Sequence, residues 1–384
     1  MDSRLAAALQ AIEDRGQRRV LHPSGIMAGG RIERAGQLLL DCSSNDYLGL
    51  ARHPLLIERA RDWTLRYGAG SGASRLVTGT LDAHLALEHK VAQFKRTEAA
   101  LFFASGWQAN ASVLPALLAA APGAAVFTDR LVHASLHLGC AAAGAREIRF
   151  RHNDLADLER LIADKGTKAP ARIIITESVF SMDGDRADIA GLAAIAQRHD
   201  AFLFVDEAHA TGVLGPGGAG LSALVHGGVD LVMGTFSKAL GGFGAYVAGS
   251  QLLCDYLLNT CGGFIFSTAP PPAVLGAADA ALDIVPAMDD ERAHLAALGD
   301  YLRSRLRDAG FAVGESSTQI VPAIIGDARR TAALSQALAE RGILAAAIRP
   351  PTVPPGTSRL RLALRSSHGE AEVEILLAAL RELA

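Results

Sequence analysis

DLVMGTFSKALGG (230–242) sets an apolar run of strand length directly ahead of a lysine, with two glycines close behind. Similar short runs recur at AALFFAS (99–105), AAVFTD (124–129), REIRF (146–150), RIIIT (172–176) and AFLFVD (201–206). Segments with helical spacing separate them, among them WQANASVLPALLAA (107–120), DLADLERLIAD (154–164) and IAGLAAIAQRH (189–199). Apolar runs alternating with helices predict an α/β fold with a mainly parallel sheet covered on both faces. In such sheets ligands bind beyond the carboxyl ends of the strands. The residues just after each run are therefore the ones to read for chemistry.

The flanks follow another pattern. Residues 1–22 read as a helix and a basic turn, Arg18-Arg19. QLLLD (37–41) suggests a strand and SSNDYLGL (43–50) a polar turn. PLLIERARDWTLRY (54–67) has helical spacing and stops at Gly68. GAGSGASRLVTGT (68–80) reads as a glycine-rich loop, and DAHLALEHKVAQF (82–94) as a helix with Asp82 as its N-cap. After TAPPP (268–272) come a long helical region, TQIVPAII (318–325), a helix at 327–342, ILAAAI (343–348), RLRLAL (359–364) and a terminal helix. That order predicts a smaller α+β domain with an antiparallel sheet. The expected division is an N-terminal helix and arm over 1–45, a large α/β domain over 46–270 and a small C-terminal domain over 271–384.

Composition narrows the function. The chain has 384 residues, 50% apolar and 20% charged, which is the balance of a folded protein rather than a disordered one. Lys plus Arg is 37 and Asp plus Glu is 40, a net charge of −3. A nucleic-acid binder normally shows a basic excess, so no nucleic-acid partner is expected. No apolar run is long enough to span a membrane, and MDSRLAAALQAIEDRG (1–16) does not read as a secretory signal. Four cysteines without a CxxC pair indicate neither a zinc module nor a disulfide scaffold. The expected compartment is the cytoplasm.

Five runs end on polar residues that can converge. RIIIT leads to Glu177, Ser178 and Ser181; AFLFV leads to Asp206, Glu207 and His209; DLVMGT leads to Thr235, Ser237 and Lys238. AALFFA leads to Ser105-Gly106-Trp107 at a helix start, and AAVFT to Asp129 and His133. Burial and positive neighbours lower a lysine pKa and make the amine a nucleophile or base. A Schiff-base lysine such as Lys238, with a carboxylate such as Asp206 for a heterocyclic nitrogen, is the pattern of pyridoxal 5'-phosphate (PLP) chemistry. A helix opening after a strand at Gly106 supplies free N–H groups for the phosphate, and Thr235 a hydroxyl. His133 could stack on the ring.

Other motifs fail on context. GAGSGA (68–73) resembles a dinucleotide fingerprint but follows a helix rather than a strand. No P-loop and no GxSxG elbow occur. His133 and His137 have metal-ligand spacing, but no third ligand is evident and no metal is expected.

These residues resemble one family. SSNDYLGL (43–50), GSGASRLVTGT (70–80), HLALE (84–88), ASGWQAN (104–110), DRLVHAS (129–135), TESVFSMDGD (176–185), VDEAHATGVLG (205–215), TFSKALGG (235–242) and RPPTVPPGTSRLRL (349–362) are similar, in order, to the α-oxoamine synthases. The resemblance implies PLP fold type I, aspartate-aminotransferase-like, with a seven-stranded, mainly parallel sheet. It implies Lys238 as the cofactor lysine, Asp206 on the pyridine nitrogen, His209 and Ser181 near the phenolic oxygen, and His133 stacked on the ring. Gly106, Trp107 and Thr235 would line the cofactor site, and Arg361, with Asn45, would hold an amino-acid carboxylate. Thr352 and Arg19 match substrate-contact positions. IRPPTVPPGTSRLRL (348–362) points to the branch that joins L-alanine to a pimeloyl thioester, carried on CoA or an acyl-carrier protein, in biotin biosynthesis. A sister activity such as glycine C-acetyltransferase, and an aminotransferase, are the alternatives. A homodimer is expected, with Thr268 reaching the neighbouring subunit's phosphate. Trp107 stands where the family often has Phe or Tyr, and Glu207 receives no role.

Overall fold

The computed structural model describes residues 1–383. Its centre is a seven-stranded sheet ordered Ala99–Phe103, Ala245–Gly249, Leu231–Thr235, Ala201–Asp206, Arg172–Glu177, Ala125–Asp129 and Glu147–Phe150. The last five are mutually parallel, and Ala245–Gly249 runs antiparallel to both its neighbours. Ile173, Ile174, Ile175, Leu203, Phe204 and Val205 are buried without alternation, as strands covered on both faces require.

Ala245–Gly249 is the one strand of this sheet that the pattern of apolar runs does not reveal. It is five residues long and lies between glycines. Gly244 has φ +100°, and a Cβ there would fall 2.4 Å from the Phe102 ring. Only glycine lets the chain enter this strand so close to its neighbour.

Helices cover the two faces. One apolar cluster takes in Ala109, Val113 and Leu114 of helix Gly106–Ala120 and Leu192 and Ile195 of helix Ile189–Arg198, against Phe103, Ile174 and Val247. Ser105 caps the first helix by accepting Gln108 N–H, and Asp188 caps the second by accepting Gly191 N–H. Helix Gly106–Ala120 continues through Pro115. The interruption costs about 3 kcal/mol, and burial of Val113, Leu114 and Leu117, each worth roughly 1.5–3 kcal/mol, offsets it.

The other cluster runs from Leu56, Leu87 and Phe236 on to Leu302, Leu360 and Leu376. Ile320–Gly326, Ser358–Ala363 and Ala346–Ile348 form the antiparallel sheet of the later region. Gln37–Asp41 pairs in parallel with Ile343–Leu344, so the first strands share a four-stranded sheet with the late chain. Helix Asp2–Asp14 buries no side chain. Asp82 is the first residue of helix Asp82–Lys95 rather than its cap, which is Leu81. The glycine-rich stretch closes on a π turn, Arg75–Gly79. Among the described residues no helix is long and apolar enough to cross a membrane.

Candidate active site

Five strand ends meet in a cavity of about 230 Å3. Glu177, Asp206 and Thr235 end three parallel strands. His133 lies past a fourth, and Ser105, Gly106 and Trp107 follow the fifth. Lys238 and His209 come from the turns after their strands. A larger cleft of about 310 Å3 at Arg96, His226 and Asp230 gathers no such set.

Lys238 is partly buried, and among the described residues no side chain lies within hydrogen-bond or ion-pair distance of its Nζ. Burial, with Arg361 nearby, brings its pKa down to about 8 against the opposing pull of Asp206 and Glu177. Asp206 is buried and accepts two hydrogen bonds, from Asn110 Nδ2 at 2.8 Å and from Ala208 N–H at 2.9 Å. Glu177 pairs in register with Asp206. Burial and that neighbouring carboxylate push its pKa well above the ordinary range, while one of its oxygens accepts His133 N–H.

His133 caps helix Ala134–Ala142. Its exposed ring meets Trp107 edge-on, with centroids 5.9 Å apart. His137 turns instead to Glu147 at 2.6 Å, so the two histidines have separate partners. Thr235 Oγ1 lies 2.8 Å from Gly244 O and 2.7 Å from Ser237 Oγ. A Cβ at Gly106 would meet only Met233, at 3.5 Å, so what the glycine preserves is open cavity.

Above this set lies a second cluster. His209 Nδ1 is 2.7 Å from Tyr47 OH, which donates to Asn45 Oδ1 at 3.0 Å and accepts from Arg361 at 3.2 Å. Burial first, then Lys238 and Arg361, hold the His209 pKa well below its usual value, so the ring is neutral. Arg361 Nε donates to Ser181 O at 2.5 Å. Three arginines in and after strand Ser358–Ala363 are buried. Arg359 pairs with Asp183, and Arg365 with Asp46 at 2.7 Å. Arg361 has no acidic partner among the described residues. Arg19 and Thr352 are exposed and line a separate cavity of about 170 Å3 with Gln17 and Arg349.

The donor set suits PLP. An amine without a partner can take an aldehyde. A buried carboxylate can face a ring nitrogen. The first N–H groups of a 15-residue helix have no partner within it and can hold a phosphate. Sequence reading assigns no role to Tyr47, Asn110, Ser135 or Glu177. Each stands inside a quoted stretch, and Glu177 is one of the polar strand ends, but only the contacts show what each of them touches.

Comparison with known proteins bears on the same point. The sequence profile of the family described as aminotransferase class I and II matches residues 39–380. The chain is 60% identical to the 8-amino-7-oxononanoate synthase of Gluconacetobacter diazotrophicus, over 98% of this chain and 96% of that one. Among solved structures it is similar to a serine palmitoyltransferase variant from S. paucimobilis holding PLP and myriocin. There the TM-score is 0.92 at 29% identity, covering 99% and 96% of the two chains. It is also similar to the 8-amino-7-oxononanoate synthase of Francisella tularensis, with a TM-score of 0.77 at 27% identity, covering 90% and 97%.

Proposed function

The chain belongs to the class I and II aminotransferase family, among its 8-amino-7-oxononanoate synthases, PLP-dependent acyltransferases of biotin biosynthesis, and from that premise we propose that it condenses L-alanine with a pimeloyl thioester. A bond forms between alanine Cα and the thioester carbonyl, the thiol leaves, and the alanine carboxylate departs as CO2. The product is 8-amino-7-oxononanoate.

The observation that carries this reading is Arg361, a buried guanidinium that, among the described residues, lacks the carboxylate that both neighbouring arginines possess. Such a group, held by Ser181 O and Tyr47 OH, can take a substrate carboxylate through two parallel N–H bonds. Asn45, tied to Tyr47, borders the same place. PLP, when bound, supplies a sink for the electrons left at Cα. The protein does the rest. Lys238 Nζ anchors the cofactor and, once displaced, takes and returns the Cα proton. Asp206 keeps a proton on the ring nitrogen. With PLP bound, His209 and Ser181 would hold its phenolic oxygen, His133 would stack on its ring, and Gly106, Trp107 and Thr235 would hold its phosphate. Arg19 and Thr352 would contact substrate from the exposed cavity they share. The working unit is a homodimer, supported by Val77 and Phe266, which are 73% and 85% exposed beside the bridge between Ser74 and Thr268.

The test is thiol release by the pure protein. Pimeloyl-CoA with L-alanine should release thiol and CO2 together, and glycine with acetyl-CoA should give little of either. Preference for the second pair would move the chain to a sister activity. Release from pimeloyl acyl-carrier protein alone would identify the carrier as the donor, and a keto-acid-dependent reaction without thiol would overturn the proposal.

Lys238 adds a pH dependence. Only the free amine attacks an aldehyde. The rate of PLP capture by cofactor-free protein, followed by absorbance, should therefore rise with pH and level off above about 8. A rate flat from neutral pH upward would contradict the depressed pKa.

A further inference from the structure

Asn110 and Ser135 are 1% and 0% exposed and have no part in the scheme above. Asn110 projects from the start of helix Gly106–Ala120. Its Nδ2 lies 2.8 Å from Asp206 Oδ2 and 3.0 Å from Ser135 Oγ. A carboxylate oxygen only accepts, so the amide must turn its NH2 toward Asp206. The opposite orientation would set two acceptors against each other. The one adopted leaves Asn110 Oδ1 buried with no partner among the described residues. Both amide hydrogens are then in use, one on Asp206 and one on Ser135.

Ser135 Oγ therefore accepts from Asn110 and keeps its own hydrogen to donate. His133 Nδ1 lies 2.7 Å from that oxygen. Ser135 N–H points at the same nitrogen, at 3.3 Å. A ring nitrogen that accepts from two donors carries no hydrogen of its own.

We infer that Asn110 and Ser135 are positioning residues, which transmit the orientation of Asp206 to His133 and hold its imidazole as the neutral tautomer with its hydrogen on Nε2. The charged and titratable groups around His133 are Asp206 and Glu177 at strand ends, Lys238 on its turn and His137 one helical turn onward. Trp107 covers one edge. The use of this tautomer rests on the proposed function. A neutral ring can lie against a protonated pyridine without repulsion, and its Nε2–H is left free to donate to a ligand. One carboxylate thereby sets the charge of the bound ring and, through two relay residues, the protonation of the group stacked on it.

The test reads the tautomer directly. Full-length protein loaded with PLP and labelled with 15N-histidine is examined by long-range 1H–15N correlation, with His133 assigned from its loss in His133→Asn. The expected result is an unprotonated Nδ1 and a protonated Nε2, unchanged across roughly pH 6–8. In Ser135→Ala the nearer donor that pins the tautomer is gone, so the other tautomer should become populated and exchange between the two should draw the two nitrogen shifts together. In Asn110→Asp the Ser135 hydroxyl gains a competing acceptor, and protonation of Nδ1 should appear. A hydrogen on Nδ1 in the parent protein, or variants with unaltered His133 shifts, would overturn the inference. The parent measurement needs no variant to fold. It also needs no substrate, so failure of the acyl-transfer reading would not be mistaken for failure of the relay.

Discussion

Lys238→Ala is expected to lower thiol release from pimeloyl-CoA and L-alanine by at least about 10^4-fold, since it removes both the cofactor's anchor and the base at Cα. The fold should not suffer. Among the described residues Lys238 Nζ makes no hydrogen bond and no ion pair. Its amine is also a native-state liability at neutral pH. The folded pKa of about 8 lies below the unfolded value. Burying the charge therefore weakens the fold at low pH, and the penalty fades as pH rises through about 8 toward the unfolded pKa. Loss of the lysine stem's packing works in the other direction. The melting temperature of the cofactor-free variant should stay within about 2 °C of the parent at pH 7. Turnover within tenfold of the parent would end the PLP mechanism for this chain.

The second large effect is at Asp206. Asp206→Asn keeps the shape and removes the charge that holds a proton on the ring nitrogen. Loss of one preorganised electrostatic partner of this kind lowers turnover by about 10^3-fold. The variant should also be less stable. Both carboxylate oxygens of Asp206 accept N–H donors, one from Asn110 and one from Ala208. An amide side chain has a single oxygen, so in Asp206→Asn one donor must face an NH2 group, at a cost of about 1–3 kcal/mol. Calorimetry should show a lower melting temperature, unlike Lys238→Ala, together with the lost turnover. The variant can relieve the clash by letting Asn110 flip, which would reverse the Ser135 hydroxyl and unsettle His133. Full turnover with unchanged melting would mean that Asp206 faces no ring nitrogen.

The two substitutions separate what is readable in one dimension from what is not. Lys238 and Asp206 each follow an apolar run that burial makes a strand, and strand ends of a parallel sheet face a common side. Their meeting in one cavity follows from local pattern and a topological rule. His209, Gly106 and His133 arrive there by the same logic. The strand Ala245–Gly249 escapes such a reading because it is short, framed by glycine and reversed in direction. The N-terminal strands hide their partner, Ile343–Leu344, some 300 residues away.

The sequence alone determined the alternation of strand and helix, hence the α/β sheet, and the chemistry at its strand ends. It did so because burial imposes a period that a single chain records residue by residue. Which polar groups go unpaired is set by the folded arrangement. Arg359, Arg361 and Arg365 look alike in RLRLALR, yet folding supplies Asp183 to the first and Asp46 to the last and, among the described residues, gives Arg361 no carboxylate. Asn110 and Ser135 are ordinary helix residues until Asp206 is placed 2.8 Å from the amide. Partnership across the chain depends on distance in space, and no periodicity encodes it.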